Sequence, residues 1–170
     1  MAEALTPPFL VAALVLCTAG VAKLRAPAPA MRALAGAALP AGATRVRVFA
    51  ALELAVGLWA GLDPSPTAAV AVAGTFLILA AVAALLARHT SCGCFGEGEA
   101  PASKLQPLLS VGLAAIAAVA AAWPPHGLGW VLARPPATAA ALLLGIAGAA
   151  YATVLAYTEL PAAWGAWSPQ

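Results

Sequence analysis

Residues 67–86 read TAAVAVAGTFLILAAVAALL, an uninterrupted apolar stretch without a single charge. A helix rises about 1.5 Å per residue, so this stretch is long enough to cross the hydrocarbon core of a bilayer. The rest of the chain has the same character. Of its 170 residues, 64% are apolar and 8% charged, and the mean hydropathy is +0.96, whereas a soluble domain carries about 25% charged residues. That leaves too little polar surface to cover a globule in water. The composition excludes a disordered chain and a nucleic-acid binder resting on a basic patch. With three cysteines it also excludes a disulfide-stapled secreted domain.

Four further apolar stretches lie between charged or proline-rich breaks, at 8–24, 46–62, 105–123 and 137–157. The expectation is an all-α integral membrane protein: one polytopic domain over residues 1–170, with a compact bundle of four core transmembrane helices and a fifth at the C-terminal end. The breaks are the APAPA run at 26–30, Asp63-Pro64-Ser65-Pro66, the segment from Arg88 to Lys104, and Pro124-Pro125-His126. No basic residue precedes the first apolar stretch, and Lys23 and Arg25 follow it, the reverse of a cleaved signal. Leu16 before Cys17 also fits a lipoprotein site poorly.

Basic residues of short loops are retained on the cytoplasmic side. With five spans, Lys23, Arg25, Arg32, Arg45, Arg47, Arg88 and Lys104 fall on one face and Arg134 alone on the other. This places the N-terminus outside, with Trp123, Trp130, Trp164 and Trp167 near span ends as interfacial anchors. His89 and His126 read as solvated loop residues. Small residues crowd every span and predict close helix packing. Gly57 and Gly61 match a GxxxG pattern, a weak signal in so Ala- and Gly-rich a chain.

Three groups carry chemistry. The sharpest is Cys92-Gly93-Cys94, two thiols one residue apart. Fully extended, their Cα atoms would be about 7 Å apart, at the limit a disulfide bridges, so closure needs a turn, which Gly93 permits. A ring closed over so few atoms is strained and therefore easily reduced, the property of an exchanging pair rather than a staple. The same residues also admit an inert or palmitoylated turn, or half of a zinc site, although only His89 lies nearby as a further ligand.

Glu53 is the one acid inside an apolar stretch, where a carboxyl group faces the bundle interior or a partner. Counted along the helices, it lies about 12 Å above Arg45, while Cys17 lies about 9 Å above Lys23. At that depth Lys23 can reach Glu53, and the acid either pairs with it or carries a proton. Cys17 itself reads as a small apolar core residue; the alternative is a third thiol within exchange distance of Cys92 or Cys94.

Ala19-Gly20-Val21-Ala22-Lys23-Leu24 closing the first span, Glu53-Leu54 in the second and Cys92-Gly93-Cys94-Phe95-Gly96 after the third resemble the MauE family of methylamine utilisation proteins, itself similar to DoxX-like membrane bundles. The resemblance covers the first two thirds of the chain. It implies a bacterial inner (plasma) membrane protein that supports maturation of a disulfide-rich client, the small subunit of an amine dehydrogenase, beside a thioredoxin-like partner. Cys92 and Cys94 take the place of the family's paired cysteines, Lys23 that of its first-span lysine and Glu53 that of its second-span acid. Where relatives follow the serine of the fourth span with Arg-Asn, this chain has Lys104-Leu105-Gln106-Pro107 after Ser103, so that polar contact is not carried over.

The expected activity is thiol-disulfide exchange by Cys92 and Cys94, with Glu53, Lys23 and Cys17 in support, a quinone as candidate electron sink, and no metal or nucleic acid. The rival is a non-enzymatic membrane scaffold or small-solute carrier whose cysteines only shape a turn. An exported client and a cytoplasmic thiol pair conflict. A re-entrant loop, a different span count, or electrons collected inside and passed across would each reconcile them.

Overall fold

A computed structural model describes residues 1–86 and 105–159, and every described element is an α-helix or its connection. The helices are α1 (Ala2–Arg25), α2 (Ala28–Gly36), α3 (Ala43–Leu62), α4 (Pro66–Leu86), α5 (Leu105–Ala122), α6 (Leu128–Leu132) and α7 (Pro136–Thr158). Four of them, α1, α4, α5 and α7, are long and apolar enough to cross a membrane. The fifth long helix, α3, has the length but carries Arg45, Arg47 and Glu53.

α1 is the central helix. It packs along α3, and α4 packs along α5; α7 and α5 also lie against α1. Phe9, Leu10, Val15 and Leu16 of α1 meet Val72 and Phe76 of α4, Leu113 and Ala117 of α5, and Ile146 of α7 in one apolar cluster. The outer surface is apolar too: Leu52, Val70, Leu77, Leu85, Leu108 and Leu144 are all more than half exposed. A soluble monomer does not present that much contiguous apolar surface, whereas a bilayer covers it. The chain is a membrane helical bundle.

Three of the sequence expectations need adjustment. α1 starts at Ala2 and passes through Pro7 and Pro8, rather than starting at Pro8. So near the helix start the two rings remove only the amide bonds to the carbonyls of Glu3 and Ala4, close to the helix end. The proline-rich breaks also hold helices of their own. α2 accepts Pro29 in its first turn, where the missing N–H has no intrahelical partner to lose. It buries Pro29, Ala30 and Ala33 against the bundle.

Alternation along the chain sorts the helix ends. One end gathers the C-terminus of α1, all of α2, the N-terminus of α3, the C-terminus of α4, the N-terminus of α5 and the C-terminus of α7. At the opposite end, the main-chain N–H of His126 donates to Thr6 Oγ1 at 3.0 Å, and Arg134 pairs with Glu3 at 3.0 Å. His126 is not simply solvated there. Its ring stacks on Trp130 at 5.1 Å, and Arg134 covers the Trp130 ring at 4.0 Å.

Candidate functional site

The end that collects α1, α3, α4, α5 and α7 holds most of the buried polar groups. Lys23, in the last turn of α1, donates to both carboxylate oxygens of Glu53 on α3, at 2.6 and 2.7 Å. Glu53 is fully buried and Lys23 nearly so. Two oppositely charged groups held this way meet each other's charge where neither water nor lipid headgroup can, which is the condition under which an ion pair persists at depth. Phe49, one turn before Glu53, places its ring 5.8 Å from the ammonium. The sequence left Glu53 either paired or protonated, and the geometry is that of the pair.

Two glycines let α1 and α3 approach closely enough for that bond. A Cβ on Gly20 would stand 2.7 Å from the Ala50 carbonyl and 2.9 Å from the Leu54 nitrogen. A Cβ on Gly57 would stand 2.7 Å from the Ala13 carbonyl and from Cys17 Sγ. Gly61, the other half of the GxxxG match, has open space where its side chain would be. The close approach therefore uses Gly20 and Gly57, one from each helix, and not the motif as such.

Cys17 lies in this seam. Its Sγ is 4.0 Å from the Leu54 carbonyl, and the residue is a half-buried free thiol. Cys92 and Cys94 lie outside the described residues, as does His89. What the structure fixes is where their segment is anchored. It leaves α4 at Leu86 and enters α5 at Leu105, both at the end that carries Lys23 and Glu53.

A second polar group beside the ion pair was not anticipated from the sequence. Tyr157 of α7 and Ser110 of α5 share a hydrogen bond of 2.9 Å between their hydroxyls. Gln106, one turn before Ser110, donates from Nε2 to the Tyr157 carbonyl at 3.2 Å. Its Oε1 is buried without a hydrogen-bond partner among the described residues. Gln106, Ser110, Tyr157 and Lys23 line one small cavity of about 20 Å³. The start of α5 therefore does carry a polar contact, made by Gln106 and Ser110. The available signal was their spacing of four residues, which puts both on one face of α5. Tyr157→Phe removes one hydroxyl bond between buried partners, and we expect it to cost about 1 kcal/mol, read as a lowered unfolding temperature in detergent. Ser110→Ala in the same background should add almost nothing if the two hydroxyls act only on each other.

Among the described residues no group of three His, Cys, Asp or Glu side chains is placed to hold a metal ion. Buried polar residues in the described part are Thr6, Lys23, Glu53, Gln106 and Ser110. All but Thr6 cluster at the end from which the cysteine segment departs.

Searches of curated proteins and of solved structures found no match to this chain. A family model described as methylamine utilisation protein MauE matches residues 2–124. That stretch takes in α1 to α5, the Lys23–Glu53 pair, Gln106, Ser110 and the Cys92-Gly93-Cys94 segment, and leaves only α6, α7 and the C-terminal residues beyond it. The chain belongs to the MauE family of methylamine utilisation proteins.

Proposed function

We propose that this chain supports maturation of a disulfide-containing partner in methylamine metabolism by thiol-disulfide exchange at Cys92 and Cys94. The observation that carries the reading is the family match across residues 2–124, because it takes in the paired thiols together with Lys23 and Glu53. In an oxidising cycle a client thiolate attacks the Cys92–Cys94 disulfide and forms a mixed disulfide. The client's second thiolate then displaces the remaining cysteine. The client gains a disulfide, and Cys92 and Cys94 become the dithiol. In isomerisation a thiolate of the reduced pair attacks a client disulfide, and a different client thiolate then displaces it from the mixed disulfide, with no net transfer of electrons.

A client of the amine dehydrogenase type and a thioredoxin-like partner fit this chemistry. A quinone is the candidate acceptor for restoring the disulfide, although no described residue identifies its site. Lys23 and Glu53 are supporting groups that hold α1 against α3 at the end of the bundle from which the thiol segment leaves, and Cys17 is a packing residue of the same seam.

Charge supports an orientation. Lys23, Arg25, Arg32, Arg45 and Arg47 lie at one end of the bundle, while Arg134 at the other is matched by Glu3. By the retention of basic loops in the cytoplasm, the N-terminus faces outward from a bacterial inner membrane.

The rival reading, a scaffold or small-solute carrier, has less behind it. A carrier exposes polar groups or broken helices along a path near the midplane. Here the described buried polar groups sit at the two ends or, for Glu53, are bound to Lys23. Replacing Cys92 and Cys94 by Ser, singly and together, should reduce formation of mature client in cells to background while membrane levels of the protein stay unchanged. Full client maturation in the double variant would remove the thiol reading and leave the scaffold.

A further inference from the structure

The bundle carries a second, larger cavity that the thiol chemistry does not use. It has a volume of about 320 Å³, within the range of sites that hold small molecules, and lies between α1, α2, α3 and α4. Leu34 of α2, Phe49 of α3, and Val82 and Leu86 of α4 supply its apolar wall. Ile78, which also lines it, is half exposed on the outer apolar face of α4, so the cavity lies alongside lipid.

Its polar contribution is entirely cationic. Lys23 forms part of the inner wall, and its charge is met by Glu53. Arg45 also lines the cavity, is exposed, and forms no ion pair with any described residue. Arg25, Arg32 and Arg47 surround the same end, likewise exposed and without an ion pair among the described residues. An apolar slot beside lipid, closed at the headgroup end by guanidinium groups that no described carboxylate pairs, complements a molecule with an acyl tail and an anionic head.

We infer that this cavity is a binding site for an anionic phospholipid, with one acyl chain between α2 and α4 and the headgroup phosphate on Arg45. The bilayer supplies such a molecule from the side, and basic pockets between helices select anionic over zwitterionic headgroups. A zwitterionic lipid would fill the apolar part equally well, but its own ammonium group would oppose the arginines. α2, the short helix over the proline-rich connection, then has a role beyond linking: it walls the acyl chain. The inference stands apart from the thiol chemistry and holds for a protein lacking both loop cysteines.

The test uses the full chain purified in a mild detergent and exchanged into mixed micelles containing equal amounts of phosphatidylglycerol and phosphatidylcholine, with retained lipid counted by native mass spectrometry. One phosphatidylglycerol should be retained in preference to phosphatidylcholine, and more weakly as salt is raised. Arg45→Gln should lower that preference about fivefold, the value of one cation beside an anionic headgroup. Arg134→Gln, at the opposite end, should leave it unchanged. Leu34→Trp and Val82→Trp, each of which fills the cavity from a different wall, should abolish retention of either lipid without altering helix content. Equal retention of both lipids, an unchanged preference in Arg45→Gln, or displacement of phosphatidylglycerol by a neutral quinone at equal concentration would overturn the assignment.

Discussion

Lys23→Met and Glu53→Leu, made singly, should each destabilise the protein by roughly 3–5 kcal/mol, because each leaves the other charge buried and unmatched. The ammonium of Lys23 donates to both carboxylate oxygens, and no described group other than Lys23 bonds to the Glu53 carboxylate. Removing Lys23 therefore strands the carboxylate in an apolar seam. Removing Glu53 leaves the ammonium against Phe49. In a detergent unfolding experiment either single variant should lose most of its cooperative transition or fail to accumulate in the membrane. The double variant should regain most of the stability, because two apolar side chains of similar volume replace a pair whose desolvation cost nearly cancels its attraction. That double variant also separates two roles. If it folds and still matures client, the pair acts only to hold α1 against α3. If it folds and client maturation is lost, the pair takes part in moving or holding a proton. Single variants that unfold like the parent would contradict the buried pair itself.

The second large effect concerns the α1–α3 seam. Gly20→Val and Gly57→Val should each cost at least the 1–3 kcal/mol typical of an overpacked core. The added Cβ at either position meets a main-chain carbonyl at 2.7 Å, and backbone cannot rotate away as a flexible side chain can. The helices would have to separate, and the Lys23–Glu53 bond would lengthen with them. Gly74→Ala and Gly112→Ala are the internal controls. Nothing lies within 4 Å of a Cβ at either site, so the better helix propensity of alanine should leave stability equal or higher by up to about 1 kcal/mol. Unfolding temperatures for the four variants measured side by side give the comparison. Equal losses at Gly20 and Gly74 would show that small residues act here through composition rather than through one close approach.

Much of the bundle can be read from residue patterns, and the reasons are physical. Residues 67–86 can hardly be anything but a helix in lipid, since an apolar stretch that long must satisfy its own backbone hydrogen bonds. Glu53 and Lys23 stand out because charges are rare in such stretches, and counting helical rise put them within reach of each other. α2 and α6 are harder to see. Both are short and lie within connections marked by proline, and they gain their place from packing on the bundle rather than from a period of their own. The link between Ser110 and Tyr157 joins residues 47 positions apart. No local spacing announces such a pairing, because it depends on how α7 lies against α5. The GxxxG match was informative at Gly57 and empty at Gly61, which shows that a motif of small residues identifies candidates for close approach but not which of them is used. The thiol pair is the reverse case: the residues suggest exchange chemistry but leave a lipidated turn or half of a zinc site open, and the described residues place just the two ends of its segment, at Leu86 and Leu105.

We propose that Cys92 and Cys94 open and close as a pair. The most direct measurement equilibrates the purified full-length protein across a series of thiol-disulfide buffers, quenches with an alkylating reagent and reads the intact and peptide masses. One two-electron transition is expected, in which both loop cysteines lose or gain the label together, while Cys17 keeps the same state throughout. Two loop thiols that are labelled independently in every buffer, or that carry a permanent modification, would contradict it.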